Sequence, residues 1–212
     1  MPRKQNTLAT VDPNQLKGLI SASYQRNGPA RDIGSKQGYK LVDKFSNAEH
    51  KVFTDRKGNP VVAFTGTRKA SDWLTNAAIT VGLGRFTNRF RDSKRLINDV
   101  KKTYGDRPIT TVGHSLGGGL AEYAGGDKVI TLDKAIGVGG VLKGISKNQS
   151  DIRTGSDPVS ILNRTQFGGN RYTIRGTNFI DPLHAHNYRH LNKFDKVAII
   201  NLKFNILYYY IL

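Results

Sequence analysis

The chain has no cysteine, and only one methionine and one tryptophan among 212 residues. No disulfide framework and no thiolate chemistry are therefore open to it, which fits a reducing compartment. It also lacks any stretch near the roughly 20 apolar residues that a membrane-spanning helix needs. The opening residues, MPRKQNTLATVDP, are basic but carry no apolar run of the secretory kind, so an intracellular or virion-associated location is expected. Acidic side chains are scarce as well: 16 against 33 lysines and arginines, a formal net charge of +17. A field of that sign favours polyanionic partners, whether an anionic membrane surface, nucleic acid or a virion interior. The basic residues are scattered, with no block of five or six together. The charge therefore modifies a function rather than stating one.

What is present fits one globular unit over residues 1–212, long enough to bury a sizeable core. There is no internal repeat, no low-complexity tract and no linker rich in Pro, Gly and Ser. Asp12 suits an N-cap, Pro13 the first helical position, and Gln15 a capping-box-like partner, predicting a helix to Tyr24 with Leu16, Leu19 and Ile20 as its apolar stripe. KVFTD at 51–55 and VVAFTG at 61–66 read as strands joined by the turn residues RKGNP, which predicts a hairpin. Phe90, Ile97, Val100 and Tyr104 recur at helical spacing between Asn88 and Tyr104, and Gly105 can cap the end. Then follow a short buried strand, ITTVG, a small-residue helix, LGGGLAEYAGG, a strand over KVITLDKAIG at 128–137, and an extended stretch leading to Asp157. Strands alternating with helices predict an α/β sandwich: a mainly parallel central sheet with helices on both faces. The apolar tail NLKFNILYYYIL, 201–212, is open to two readings, a terminal edge strand or an unstructured end.

The chemical signal is Gly113-His114-Ser115-Leu116-Gly117. A nucleophilic serine has to stand at the tip of a sharp strand-to-helix turn, where Oγ is accessible and the backbone is strained. Residues two before and two after it must be tiny, or side chains collide across the turn. The helix that follows aims its free N–H groups at developing negative charge. A predicted strand precedes this motif and a predicted helix follows it, a context that a chance Gly-x-Ser-x-Gly in a chain with 23 glycines would lack.

Such a serine requires an acid and a histidine later in the chain. Asp157, in GSDPVS, and Asp151 compete for the acid; Asp157 precedes a proline that ends the strand, which suits a strand's C-terminal edge. Asp181 also precedes a proline and is the runner-up. The histidines after Asp157 are His184, His186 and His190. His184 and His186 share a face if the segment is extended, so a metal site is a further reading of the cluster, but no acidic residue lies beside them to complete a hydrolytic metal set. No metal and no organic cofactor is expected.

These residues resemble the class 3 (fungal-type) lipase family of α/β-hydrolases. GHSLGGGLA, VVAFTGTRKASDWLTN at 61–76 and the pairing of SDPVS with PLHAHNY at 182–188 carry the resemblance, which with the RFRDS helix start spans about residues 40–190. It implies hydrolysis of carboxylic esters of acyl lipids through an acyl-enzyme. Ser115 would be the nucleophile, Asp157 the acid and His186 the base, since a proline-led turn ending in Ala-His places the base there; His184 is the second choice. The N–H groups of Leu116 and Thr67 would form the oxyanion hole, and His114 would pack at the turn. Thr65 departs from the arginine usual before Gly66, Asn76 from a common aspartate, and the lid segment AAITVGLG, 77–84, is short. Two further expectations rest on charge. Arg85, Arg89, Arg91, Lys94 and Arg95, with Asp92 the nearby acid and Val81 and Leu83 before them, would meet an anionic membrane. The alternative is a basic protein that binds nucleic acid or packs in a virion on a decayed hydrolase scaffold.

Overall fold

A computed structural model describes residues 12–68, 87–136, 144–155, 157, 159–174 and 200–201 of the chain. The expected lid at 77–84, Asn76, Arg85, Asp181, the three late histidines and the tail beyond 201 lie outside the described residues.

Among the described residues, eight strands form one sheet in chain order: β1 (Lys40–Leu41), β2 (His50–Thr54), β3 (Pro60–Phe64), β4 (Thr110–His114), β5 (Lys128–Leu132), β6 (Gly144–Thr154), β7 (Phe167–Ile174) and β8 (Ile200–Asn201). From β3 to β7 neighbours run parallel, whereas β1, β2 and β8 are added antiparallel at the two edges. The 51–66 hairpin is therefore present, and Gly58, at φ +78, supplies its turn.

The helices are α1 (Pro13–Ser23), α2 (Asn27–Lys36), α3 (Thr87–Tyr104) and α4 (Leu116–Ala124). Asp12 caps α1 by accepting the Asn14 N–H at 2.8 Å, with Pro at the start as expected. Alternation along the strands sends successive side chains to opposite faces. Val61, Ala63, Val112, Ile130 and Leu132 meet α1 and α2 through Leu16, Leu19, Ile20 and Ala30. Val62, Phe64 and Val129 meet α3 and α4 through Leu96, Ile97, Val100, Leu120 and Ala121 on the other side. Helices on both faces of a mainly parallel sheet are thus observed, the α/β-hydrolase-like arrangement.

Two local differences from the expectations have physical reasons. Helix α2 and the short β1 have no strong apolar periodicity; Gly34 sits where α2 crosses Phe53, and a methyl group there would stand 2.7 Å from the ring. The strand expected over 128–137 stops at Leu132, because Asp133 turns the backbone to φ +44.

The row of five basic residues also divides. Arg89 is built into the fold: Nη2 donates to the Thr65 carbonyl at 2.8 Å and Nε lies 3.5 Å from Glu49. Arg91, Lys94 and Arg95 are exposed on α3, Arg95 paired with Asp92 and Lys94 over the Tyr123 ring. Glu49 is a second nearby acid, brought in from β2's approach rather than from the helix.

Candidate functional site

Parallel pairing fixes which residues meet at the C-terminal edge of the sheet. Phe64 lies level with Gly113, His114 with Leu132, and Leu132 with Ile152. One step past His114 and Leu132 come Ser115 and Asp133, two steps past Phe64 comes Gly66, and Asp157 follows the end of β6. The crevice outside the carboxyl ends of such strands is where α/β sheets place their sites.

Ser115 stands between β4 and α4 at φ +58, ψ −128. A non-glycine residue in that region costs on the order of 1–3 kcal/mol and persists only when its surroundings hold it. Here they do so through the backbone. Its N–H donates to the Leu132 carbonyl at 3.1 Å, and its carbonyl accepts from Gly118, Gly119 and Ala135 at 2.9, 3.2 and 3.0 Å. The side chain is 2% exposed, and Oγ has no hydrogen-bond partner among the described residues.

The glycines around it are steric requirements. A Cβ on Gly113 would overlap the Gly117 carbonyl, and one on Gly117 would overlap that of Phe64. Beyond the expected pair, Gly118 faces the Lys134 Cβ at 2.6 Å and Gly119 the Ala135 carbonyl at 2.6 Å, so the run of three lets the first turn of α4 sit directly on β3 and on the segment after β5. Leu116 opens α4, and its N–H therefore has no acceptor within the helix.

The loop after β3 approaches the same point. Gly66 is close enough that a Cβ on it would lie 3.4 Å from that of Ser115 and 2.7 Å from the His114 carbonyl. Thr65 is buried and donates from Oγ1 to the Ser23 carbonyl at 2.6 Å, while its N–H donates to the Glu49 backbone carbonyl at 2.9 Å. The Gly66 N–H donates to the Tyr24 hydroxyl at 3.2 Å, and that hydroxyl lies 3.2 Å from His114 Nδ1. With its oxygen accepting from Gly66, Tyr24 can donate to His114 when the imidazole carries its hydrogen on Nε2. His114 thus packs at the turn as expected. Thr67, half-buried, follows directly. Removing the Tyr24 hydroxyl leaves buried polar groups short of a partner, a loss of about 1–3 kcal/mol. Tyr24→Phe is accordingly expected to lower the urea midpoint of unfolding with an unchanged slope; an unaltered midpoint counts against this anchor.

Of the competing acids, Asp151 is committed to structure. Its Oδ2 lies 2.5 Å from Lys134 Nζ, and its Oδ1 accepts from Thr131 and Gln149, each at 2.7 Å. The same ammonium, fully buried, pairs with Glu122 of α4, which also accepts from Gln149 at 3.1 Å. Breaking such a buried pair by removing one partner costs about 3–5 kcal/mol, so this cluster ties α4 to β5 and β6 rather than serving chemistry. Asp157, 0% exposed, is differently placed: its N–H donates to the Thr154 carbonyl at 3.1 Å and its Oδ1 accepts from the Val159 N–H at 3.2 Å. The candidate bases His186 and His184 lie outside the described residues. No group of side chains fit to hold a metal ion occurs among the described residues.

Tyr24, Lys134 and Asp133 are not among the residues that motif spacing singles out. Asp133 is the sole acid in the run VITLDKA, the signal that could have marked it.

Residues 11–128 match the family described as phospholipase-like, Tle-like phospholipase domain. Among solved structures, the Lip2 lipase of Yarrowia lipolytica aligns with a TM-score of 0.53 and 16% identity over 81% of this chain and 80% of its own. The Rhizomucor miehei lipase propeptide complex gives 0.53 and 13% over 83% and 76%, and MDLA from Penicillium cyclopium 0.51 and 13% over 91% and 86%. At such identities the likeness is one of fold, that of the fungal-type lipases. No curated protein sequence matches the chain.

Proposed function

Because the chain belongs to the family of Tle-like phospholipase domains, we propose that it hydrolyses carboxylic esters of acyl lipids, phospholipids first among them, through a serine acyl-enzyme. The observation that carries this reading is Ser115: a strained residue at a strand-to-helix turn, its backbone pinned on both sides and its Oγ uncommitted among the described residues.

Ser115 Oγ attacks the ester carbonyl as His186 takes its proton. The tetrahedral oxyanion accepts from the Leu116 and Thr67 N–H groups, each such donor being worth about 3 kcal/mol of barrier. The imidazolium then protonates the departing alcohol, and the ester C–O bond breaks to leave the acyl-enzyme. Water, deprotonated by the same histidine, releases the acid and restores Ser115. Asp157 orients the imidazole and stabilises its charged form, His184 being the alternative base. No metal or cofactor enters these steps.

The decayed-scaffold alternative has the +17 charge in its favour. Against it stands Ser115 itself, held in a strained backbone with its Oγ uncommitted among the described residues. The exposed Arg91, Lys94 and Arg95 support salt-sensitive contact with an anionic lipid surface.

A fluorophosphonate probe tests the reading directly. Labelling of the folded protein should map to the peptide containing Ser115. A hydrolysis panel of phospholipid, triacylglycerol and short-chain esters should show turnover of at least one. A folded protein that is neither labelled nor active on any of them contradicts the proposal.

A further inference from the structure

The mechanism leaves one buried carboxyl at the site's edge unused. Asp133 ends β5 at φ +44 and is 2% exposed; with Ser115 it is one of two non-glycine residues of positive φ among those described. Both its oxygens face Thr154, the last residue of β6: Oδ1 accepts the backbone N–H at 2.5 Å and Oδ2 meets the hydroxyl at 2.9 Å. The Thr154 carbonyl in turn accepts the Asp157 N–H at 3.1 Å. A continuous chain of hydrogen bonds thus runs from Asp133 through Thr154 to the turn that bears Asp157.

Charge sharpens the point. From the turn after β6, the charged group that Asp133 faces among the described residues is Asp157, another carboxyl with no exposure. Lys134, next in sequence, cannot compensate, because its ammonium is held by Glu122 and Asp151. Two buried carboxyls that feel each other's charge do not both ionise readily. Burial, and then the Asp157 charge, push the Asp133 carboxyl well above the ordinary carboxylate range, while the two bonds from Thr154 pull the other way.

We propose that Asp133 is a positioning residue: its two bonds to Thr154 fix the end of β6, and with it the turn presenting Asp157. Its buried carboxyl acts in the neutral form, in which Oδ1 still accepts the Thr154 N–H and the contact between Oδ2 and the hydroxyl is bonded with either group as donor. The proposal rests on the reading of Asp157 as the acid of the triad.

Asparagine reproduces the shape and hydrogen bonding of a neutral aspartic acid, so the test compares Asp133→Asn, Asp133→Ala and Asp157→Asn. Asp133→Ala is expected to lower kcat about tenfold or more with KM within about twofold, the pattern of a lost transition-state interaction. Asp133→Asn should restore kcat to within about threefold of the parent, and Asp157→Asn should stay crippled. A second readout needs no activity. A carboxyl whose folded pKa is raised gives stability that is full below its unfolded pKa, about 4, and is lost as pH rises toward the folded value. The melting temperature of the parent should therefore decline over that range, and Asp133→Asn should lose this part of the slope. An Asp133→Asn variant as inactive as Asp157→Asn, or one with the parent's slope, overturns the proposal alone. Full activity in Asp157→Asn overturns the underlying assignment, and the proposal with it.

Discussion

Ser115→Ala is expected to reduce ester hydrolysis to the background left by binding and the oxyanion donors, a loss on the order of 10⁶ in kcat for a nucleophile of this kind. The fold should persist. Alanine occupies the same volume, and the hydroxyl it removes has no hydrogen-bond partner among the described residues, so no buried group is left wanting. The positive φ is demanded of alanine as it is of serine, and the bonds to Leu132, Gly118, Gly119 and Ala135 come from the backbone and survive the exchange. Stability should accordingly stay within about 0.5 kcal/mol of the parent. Turnover measured beside a denaturation curve separates the two effects, and a folded mutant with most of its activity would remove Ser115 from the mechanism.

The second large effect belongs to the groups behind the serine. Asp157→Asn keeps size and can still accept from the Val159 N–H, but an amide favours the wrong tautomer of the base and offers no charge to the imidazolium. A fall of about 10⁴ in kcat is expected, with little change in folding. Asp181→Asn should keep most of its activity, and a reversal of the two results would show the acid to be misassigned. The partner histidine follows from the same measurement: His186→Ala should be crippled to a like extent and His184→Ala should not. The opposite ranking moves the base two residues back.

The site divides by the range of the physics involved. The turn at Ser115 is legible because its demand is local: Gly113 and Gly117 must be small for a reason contained within five residues, and strand and helix patterns flank them. The choice of Asp157 over Asp151 rests on a following proline, and the structure adds an independent reason, since Asp151 is taken up by Lys134. That ion cluster is invisible to pattern reading because its members, Glu122, Lys134 and Asp151, are far apart in sequence and look like ordinary surface charges. Asp133 is hidden for another cause: a run such as KVITLDKAIG reads as one strand, and nothing in it announces a backbone that turns left-handed after Leu132. Helix α2 escapes because Gly28, Pro29 and Gly34 mask its pattern. Proline is harmless in the first turn, where its missing N–H has no acceptor, and Gly34 is there for the closeness of Phe53.

The order in which the sheet is assembled bears on when the molecule becomes active. Strands β3 and β4 lie side by side yet are separated by residues 65–109, so their pairing closes a long loop whose entropy must be met before the contacts repay it. The conformation of Ser115 depends on Leu132 and Ala135 from beyond the next helix and on α4 docked against them. None of those partners is in place in a collapsed chain with only its hairpin and local helices formed. Without them the serine relaxes out of its left-handed backbone, at no cost to the rest of the chain. Catalytic competence on this scaffold is thus a property of the completed sheet, and recovery of turnover during refolding times the last docking event rather than the first collapse.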